Sequence, residues 1–181
     1  QQETAQRALA GLGNPCELIT DERFNEINND EQVKALLPSL VEKDESLAEI
    51  VARGFSSSKD YQKVIDAVFN AWVSPECPAC GIVPWADFRD GVRAALKDIM
   101  TTVGAGKNTA VFTSGGTIAT AVGLVVGVAH TGFYQFYEPV MNCSITRLLY
   151  GNGRVSLSNF NDASHLELLS AQLGEALVTY R

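Results

Sequence analysis

The chain of 181 residues carries 14 basic and 21 acidic side chains, a net charge of −7, with 46% hydrophobic and 19% charged residues. That length supports one domain with a sizeable core, and the composition is ordinary for a globular protein. The acidic balance argues against a general nucleic-acid or anionic-membrane binder, because phosphate backbones attract cations. It leaves room for a small phosphorylated substrate, which needs only a local positive site. The longest apolar run, Ile118 to Ala129, is too short to cross a bilayer. Four cysteines (Cys16, Cys77, Cys80 and Cys143) are too few and too scattered for a disulfide scaffold. With no signal-peptide pattern, a cytoplasmic protein is expected, and homo-oligomerisation is left open.

The sequence opens on Gln1-Gln-Glu-Thr4, with no methionine and no N-cap, inside a helical pattern; this reads as a sign of an upstream segment. Ala5, Ala8, Leu9 and Leu12 share one helical face, and Gly13 with Pro15 stops the helix. Cys16 to Thr20 reads as a short strand, and Asp21 to Ile27 as a polar connection. Asp30 is placed to cap a helix carrying Val33, Leu36, Leu37, Leu40 and Val41, which Pro38 should kink or split. A second helix covers about 45–53. Tyr61, Val64, Ile65, Val68, Phe69 and Trp72 mark a third, amphipathic one.

After a Pro/Gly loop, Trp85, Phe88, Val92, Leu96 and Ile99 give the strongest periodicity in the chain, a helix over 84–102 that should pack on a sheet. Residues 108–113 read as an internal strand. A Gly-Gly turn and an all-apolar helix over 117–127 follow, buried on every side. The aromatic run Phe133, Tyr134, Phe136, Tyr137 lacks interleaved basic residues and reads as core or pocket wall rather than a base-stacking platform. Strands 144–150 and 154–160, joined by Gly151-Asn-Gly153, form a hairpin. A last helix covers about 163–178. The expectation is a single α/β domain over 1–181, three-layered, with a mainly parallel sheet flanked by helices, a helical insertion over about 30–83 and a C-terminal hairpin.

The chemistry concentrates at Ser114-Gly115-Gly116. A strand that ends in glycines and opens into a helix leaves backbone N–H groups free at the helix start, where anions bind. Around this corner, several segments resemble the histidine phosphatase superfamily, with its phosphoglycerate mutase-like fold. Gln1-Gln-Glu-Thr-Ala5 resembles the end of that family's Arg-x-x-Gln/Glu-Thr-Ala helix. Arg23-Phe-Asn-Glu-Ile27 resembles its Arg-Leu-x-Glu-Ile segment, and Val111-Phe-Thr-Ser-Gly-Gly-Thr-Ile118 its Val-Val-Ser-His-Gly-Gly turn. Asn142 to Arg147 and Asn161 to Leu166 resemble its closing hairpin and exit.

The resemblance implies a phosphomonoester hydrolase acting through a phosphohistidine, without cofactor or metal, on a small phosphorylated substrate. In that scheme Glu26 protonates the leaving oxygen and then activates water, while Ser114 and the Gly115 N–H bind phosphate. A mutase, which must retain a doubly phosphorylated cofactor, is the weaker variant. The family's Arg-His-Gly motif and its phosphate-binding Arg would both precede Gln1. Ser114 stands where the second family histidine belongs: it donates a hydrogen bond but carries no charge, and one lost preorganised donor costs roughly 10²–10³ in rate. The alternative is a degenerate member that binds a phosphorylated ligand or a protein without turnover.

Other candidates read as structural. Cys77-Pro-Ala-Cys80 lacks a second ligand pair for zinc and sits in a Pro/Gly loop, not at the start of a helix after a strand. Asn142-Cys-Ser144 fits a glycosylation sequon but reads as a turn asparagine. His130 and His165 have no metal-ligand spacing.

Overall fold

The computed structural model describes residues 1–13, 15–77 and 81–180. Helix α1 (Gln2–Gly11) leads to an extended stretch and a short 3-10 turn, Glu22–Phe24. Three helices follow: α2 (Asn29–Val41), α3 (Glu45–Arg53) and α4 (Ser58–Val73). Then come α5 (Trp85–Val103) and α6 (Gly115–Val126), a second 3-10 turn at His130–Phe133, the short α7 (Tyr134–Tyr137), strands β1 (Ile145–Gly151) and β2 (Arg154–Asp162), and α8 (Ser164–Leu173). No single helix among the described residues is long and apolar enough to cross a membrane.

The helices start where side-chain acceptors meet free N–H groups. Asn28, not Asp30, caps α2 by accepting from Glu31 N, and the helix runs through Pro38 to Val41 rather than splitting there. Asp44 caps α3 and Ser57 caps α4. Helix α4 is the spine of the core. Its Val64, Ile65, Val68, Phe69, Trp72 and Val73 are all buried, against Leu36 of α2, Leu47 and Ile50 of α3, and Ala119 of α6. Phe69 stacks on Tyr137 with centroids 5.3 Å apart and meets Trp72 and Trp85 edge-on. Such pairs add to the area that the rings remove from water.

The expected sheet is where the structure departs from the sequence reading. The described residues form one sheet, the antiparallel pair β1–β2, and no parallel ladder. Segments 16–20 and 108–113, expected as strands, pair with nothing; Ile19 is 85% exposed and Val111 41%. A strand is stable only where a neighbour takes its N–H and C=O groups, and neither segment has one. Helix α5 accordingly packs on α6 and on the turn 22–24, not on a sheet; Val92 and Ala95 are fully buried there, and Trp85 joins the aromatic cluster. Helix α6 is buried from Gly115 to Gly123 on most sides, but Val126 is 44% exposed, so the all-round burial stops before its end.

The hairpin forms as its turn residues demand. Gly151 pairs with Arg154, leaving Asn152 and Gly153 as a two-residue turn with φ of 50° and 71°. Two positive φ values are what a type I′ turn needs, and Asn-Gly supplies them. The last helix ends at Gly174, left-handed at φ 69°, short of the expected residue 178. Asn142 belongs to a turn, and its amide donates to Thr179 Oγ1 and Tyr180 O, tying down the C-terminal residues.

The α3–α4 connection is closed by one carboxylate. Asp60, its side chain 12% exposed, accepts from Arg53 Nη2 at 2.7 Å and from Ser56 N and Oγ at 3.0 and 2.8 Å. The Arg53 guanidinium first, then the Ser56 hydroxyl, hold Asp60 well below the ordinary carboxylate range. A carboxyl whose folded value is depressed stabilises the fold above its unfolded value, roughly 3.9, and loses that contribution as pH falls through the lower folded value. Asp60→Asn is therefore expected to lower the thermal midpoint at pH 7. The gap to wild type should persist down to about pH 4 and close below it. An equal gap at pH 7 and pH 2 would show that the charge is not what holds this loop.

Candidate functional site

The corner at the start of α6 is assembled from two distant segments. Phe24 and Ile27, both buried, pin residues 24–27 against the protein, and three polar contacts set their register. Thr113 Oγ1 donates to Phe24 O at 2.6 Å, and Thr117 Oγ1 donates to Asn25 O at 2.7 Å. Between them the Glu26 carboxylate accepts from Gly116 N, at 3.1 Å to Oε1 and 3.4 Å to Oε2. Oε1 also accepts from Ile27 N at 2.8 Å. A carboxylate at a helix start is stabilised by the free N–H groups and the aligned peptide dipoles. Gly115 N donates to no group among the described residues.

Ser114 is the N-cap of α6, in extended backbone at φ −121° and ψ 176°, and its hydroxyl does not cap the helix. It accepts instead from the side chain of Gln1, which brings the start of α1 to the start of α6. Glu26, Ser114 and Gly115 thus meet at one corner, with Glu26 seated on the residue after Gly115. Glu26 is partly buried and also lines a cavity of about 370 Å3 that reaches to Trp72 and Phe88; Ser114 and Gly115 are not among that cavity's walls.

Arg23 anchors the approach to Glu26. Its guanidinium bonds Asp21 at 2.6 Å and Asp98 of α5 at 2.7 Å. Those bonds, Asp21's before Asp98's, push the Arg23 pKa up, and the Arg23 side chain holds Asp21 below the usual carboxylate range. The turn 22–24 is thereby tied to α5. Among the described residues no cluster of three or more His, Cys, Asp or Glu could hold a metal ion. Positions 78–80 of the Cys77–Cys80 loop lie outside the described residues.

Sequence reasoning missed Thr113 and Thr117. Both are hydroxyls that flank the Gly-Gly turn in an otherwise apolar stretch, and that placement was the available signal. Thr117 is 1% exposed, and a buried hydroxyl needs a partner; here the partner is the backbone beside Glu26.

The family model described as the histidine phosphatase superfamily (branch 1) matches residues 30–163, well over half of the chain. The matched span includes the corner Ser114-Gly-Gly116 and the hairpin; Glu26 lies four residues before it. No curated protein and no solved structure matches the chain.

Gly116 tests the seating of Glu26. A Cβ there would run into Glu26 Oε1 and come within 2.9–3.0 Å of the Ile27 side chain. Alanine normally stabilises a helix interior over glycine by roughly 0.5–1 kcal/mol. Gly116→Ala should instead destabilise by about 1–3 kcal/mol, the usual cost of overpacking, measured by denaturant unfolding. A variant as stable as wild type would place Glu26 elsewhere.

Proposed function

The chain belongs to the histidine phosphatase superfamily, and from that membership and the geometry of the corner we propose a phosphomonoester hydrolase that works through a phosphohistidine. The observation that carries the reading is the Glu26 carboxylate on the Gly116 N–H at the start of α6, beside Ser114 and a Gly115 N–H that donates to no described group. The nucleophile is assigned to a histidine of an Arg-His-Gly motif upstream of Gln1. Its ring nitrogen bonds to phosphorus as the ester P–O bond breaks, and Glu26 gives its proton to the leaving oxygen. In the second step the Glu26 carboxylate takes a proton from the attacking water, which releases phosphate and restores the histidine. The Gly115 N–H donates to an equatorial oxygen in both steps. The finer fold expected for this activity is a three-layer, mainly parallel sheet, of which the described residues form only the antiparallel pair β1–β2.

One observation favours a second reading. Ser114 supplies a neutral hydroxyl where the family has a histidine, and the Gly116 N–H is already occupied by a carboxylate. A member built this way could bind a phosphorylated ligand or a protein partner without turning it over.

Steady-state hydrolysis by the full-length protein separates the two. Glu26→Gln should lower kcat on a phosphomonoester with a poor leaving group by roughly 10²–10⁴, because proton transfer is lost. The loss on p-nitrophenyl phosphate should be smaller, since p-nitrophenolate scarcely needs an acid. Ser114→Ala should cost only about one neutral hydrogen bond, roughly 0.5–1.5 kcal/mol. The phosphohistidine route calls on no divalent metal, so EDTA should leave the rate unchanged. Phosphate binding without hydrolysis of any phosphomonoester would establish the second reading instead.

A further inference from the structure

On the flank of Glu26 that faces α4 and α5 lies the cavity of about 370 Å3, within the range of small-molecule sites. Its floor is apolar: Ile27, Trp72, Ile82, Val83 and Phe88. The Trp72 indole N–H is already taken by Val83 O at 2.8 Å, so that ring offers the cavity only its apolar surface.

Two features are unexplained by packing. Gln32, on the first turn of α2, is only 5% exposed and lines the cavity, yet its carboxamide has no hydrogen-bond partner among the described residues. The carboxamide is not sealed among the buried unsatisfied polar atoms; it borders the empty volume, where a ligand can pair with it. Gly91 sits inside the 19-residue helix α5, where glycine is unfavourable. No close neighbour requires it: a Cβ there would meet only Arg23 Cγ, at 3.9 Å. Its missing side chain leaves the cavity open.

The charges at the rim are one-sided. Glu22, Glu31 and Asp87 border the opening together with Glu26. Among the described lining residues the one cation, Arg23, is held by Asp21 and Asp98. A second phosphate or a carboxylate on the ligand would meet this field unfavourably.

We propose that this cavity binds the organic part of the substrate: an uncharged, flat, largely apolar ring system whose amide-like edge pairs with the Gln32 carboxamide. The substrate class is then a phosphomonoester of such an alcohol, and not a polyphosphorylated sugar or a phosphate diacid. The link to turnover rests on the phosphatase reading; the binding does not.

The probe is 2-quinolinone, a fused bicyclic lactam without phosphate, titrated by calorimetry and by saturation-transfer NMR against the whole chain. Wild type should bind it, and its 4-carboxylate analogue should bind at least tenfold more weakly. Gln32→Leu keeps the volume and removes the amide, and should weaken 2-quinolinone roughly tenfold, a loss of about one to two hydrogen bonds. Gly91→Met should fill the cavity and abolish binding while circular dichroism shows the fold retained. Absence of binding to wild type, equal affinity for the carboxylate, or full affinity in Gly91→Met would each overturn the proposal. Because the probe carries no phosphate, its binding survives failure of the phosphatase reading. If hydrolysis is found but the phosphate ester of hydroxymethyl-2-quinolinone has the same KM as methyl phosphate, the pocket assignment fails alone.

Discussion

The start of α6 depends on one acceptor borrowed from ninety positions away. The first N–H groups of a helix have no intrahelical partner, and Ser114, although placed as the N-cap, turns its hydroxyl to Gln1. Glu26 fills that gap through Gly116 N. For the carboxylate to arrive there, residues 24–27 must lie against the corner, which Thr113 and Thr117 enforce through the carbonyls of Phe24 and Asn25. Gly116 must also lack a side chain, since a Cβ would occupy the carboxylate's place. The turn 22–24 is in turn held to α5 by Arg23 and Asp98. Two contacts, the Glu26 carboxylate on Gly116 N and the Arg23–Asp98 ion pair, therefore tie the polar connection to α6 and to α5, with the cavity on the α5 side.

The helices were legible because their signal is local. The 3.6-residue period of α4 and α5, the stop of α3 at Gly54, and the Asn-Gly of the hairpin each act over a few residues; Gly174, which ends α8 short of residue 178, was passed over. Caps were legible only to within a turn: Asn28 and Asp30 are both good caps, and the helix takes Asn28, the one next to the buried Ile27. Strands were the weak point. Val111-Phe112 and Leu18-Ile19 have the composition of buried strands, yet a strand is defined by what lies beside it, and the described residues place no partner there. Pattern alone reports that a segment would suit a sheet, not that a sheet is present.

The site was legible in a different way. Glu26 and the Ser-Gly-Gly turn came from motif resemblance, and nothing in periodicity or composition would have singled Glu26 out from 20 other acidic residues. Thr113 and Thr117 lie inside the Val111–Ile118 motif, but their partners are backbone carbonyls, which every residue possesses, so the motif alone did not give them a role. The cavity was equally invisible: nothing in periodicity or motif singles out Gln32 in α2 or Gly91 in α5. Only their shared position on one empty volume gives either a purpose.

The same contact that organises the corner also constrains what can bind there. An anion seated on the α6 N-terminus and the Glu26 carboxylate draw on the same small set of donors. The N–H of Gly116 cannot fully serve both, and two negative groups sharing one helix start repel each other. A phosphate can therefore take the Gly115 N–H, which no described group occupies, without displacing Glu26; reaching Gly116 as well requires the carboxylate to leave. The first arrangement keeps Glu26 on the cavity wall it already forms. The second frees the carboxylate but surrenders the contact that holds residues 24–27 in register. The corner therefore leaves room for an anion at Gly115 without moving Glu26, and the shallower seat is the one consistent with the proposed binding of the organic group toward Trp72 and Gln32.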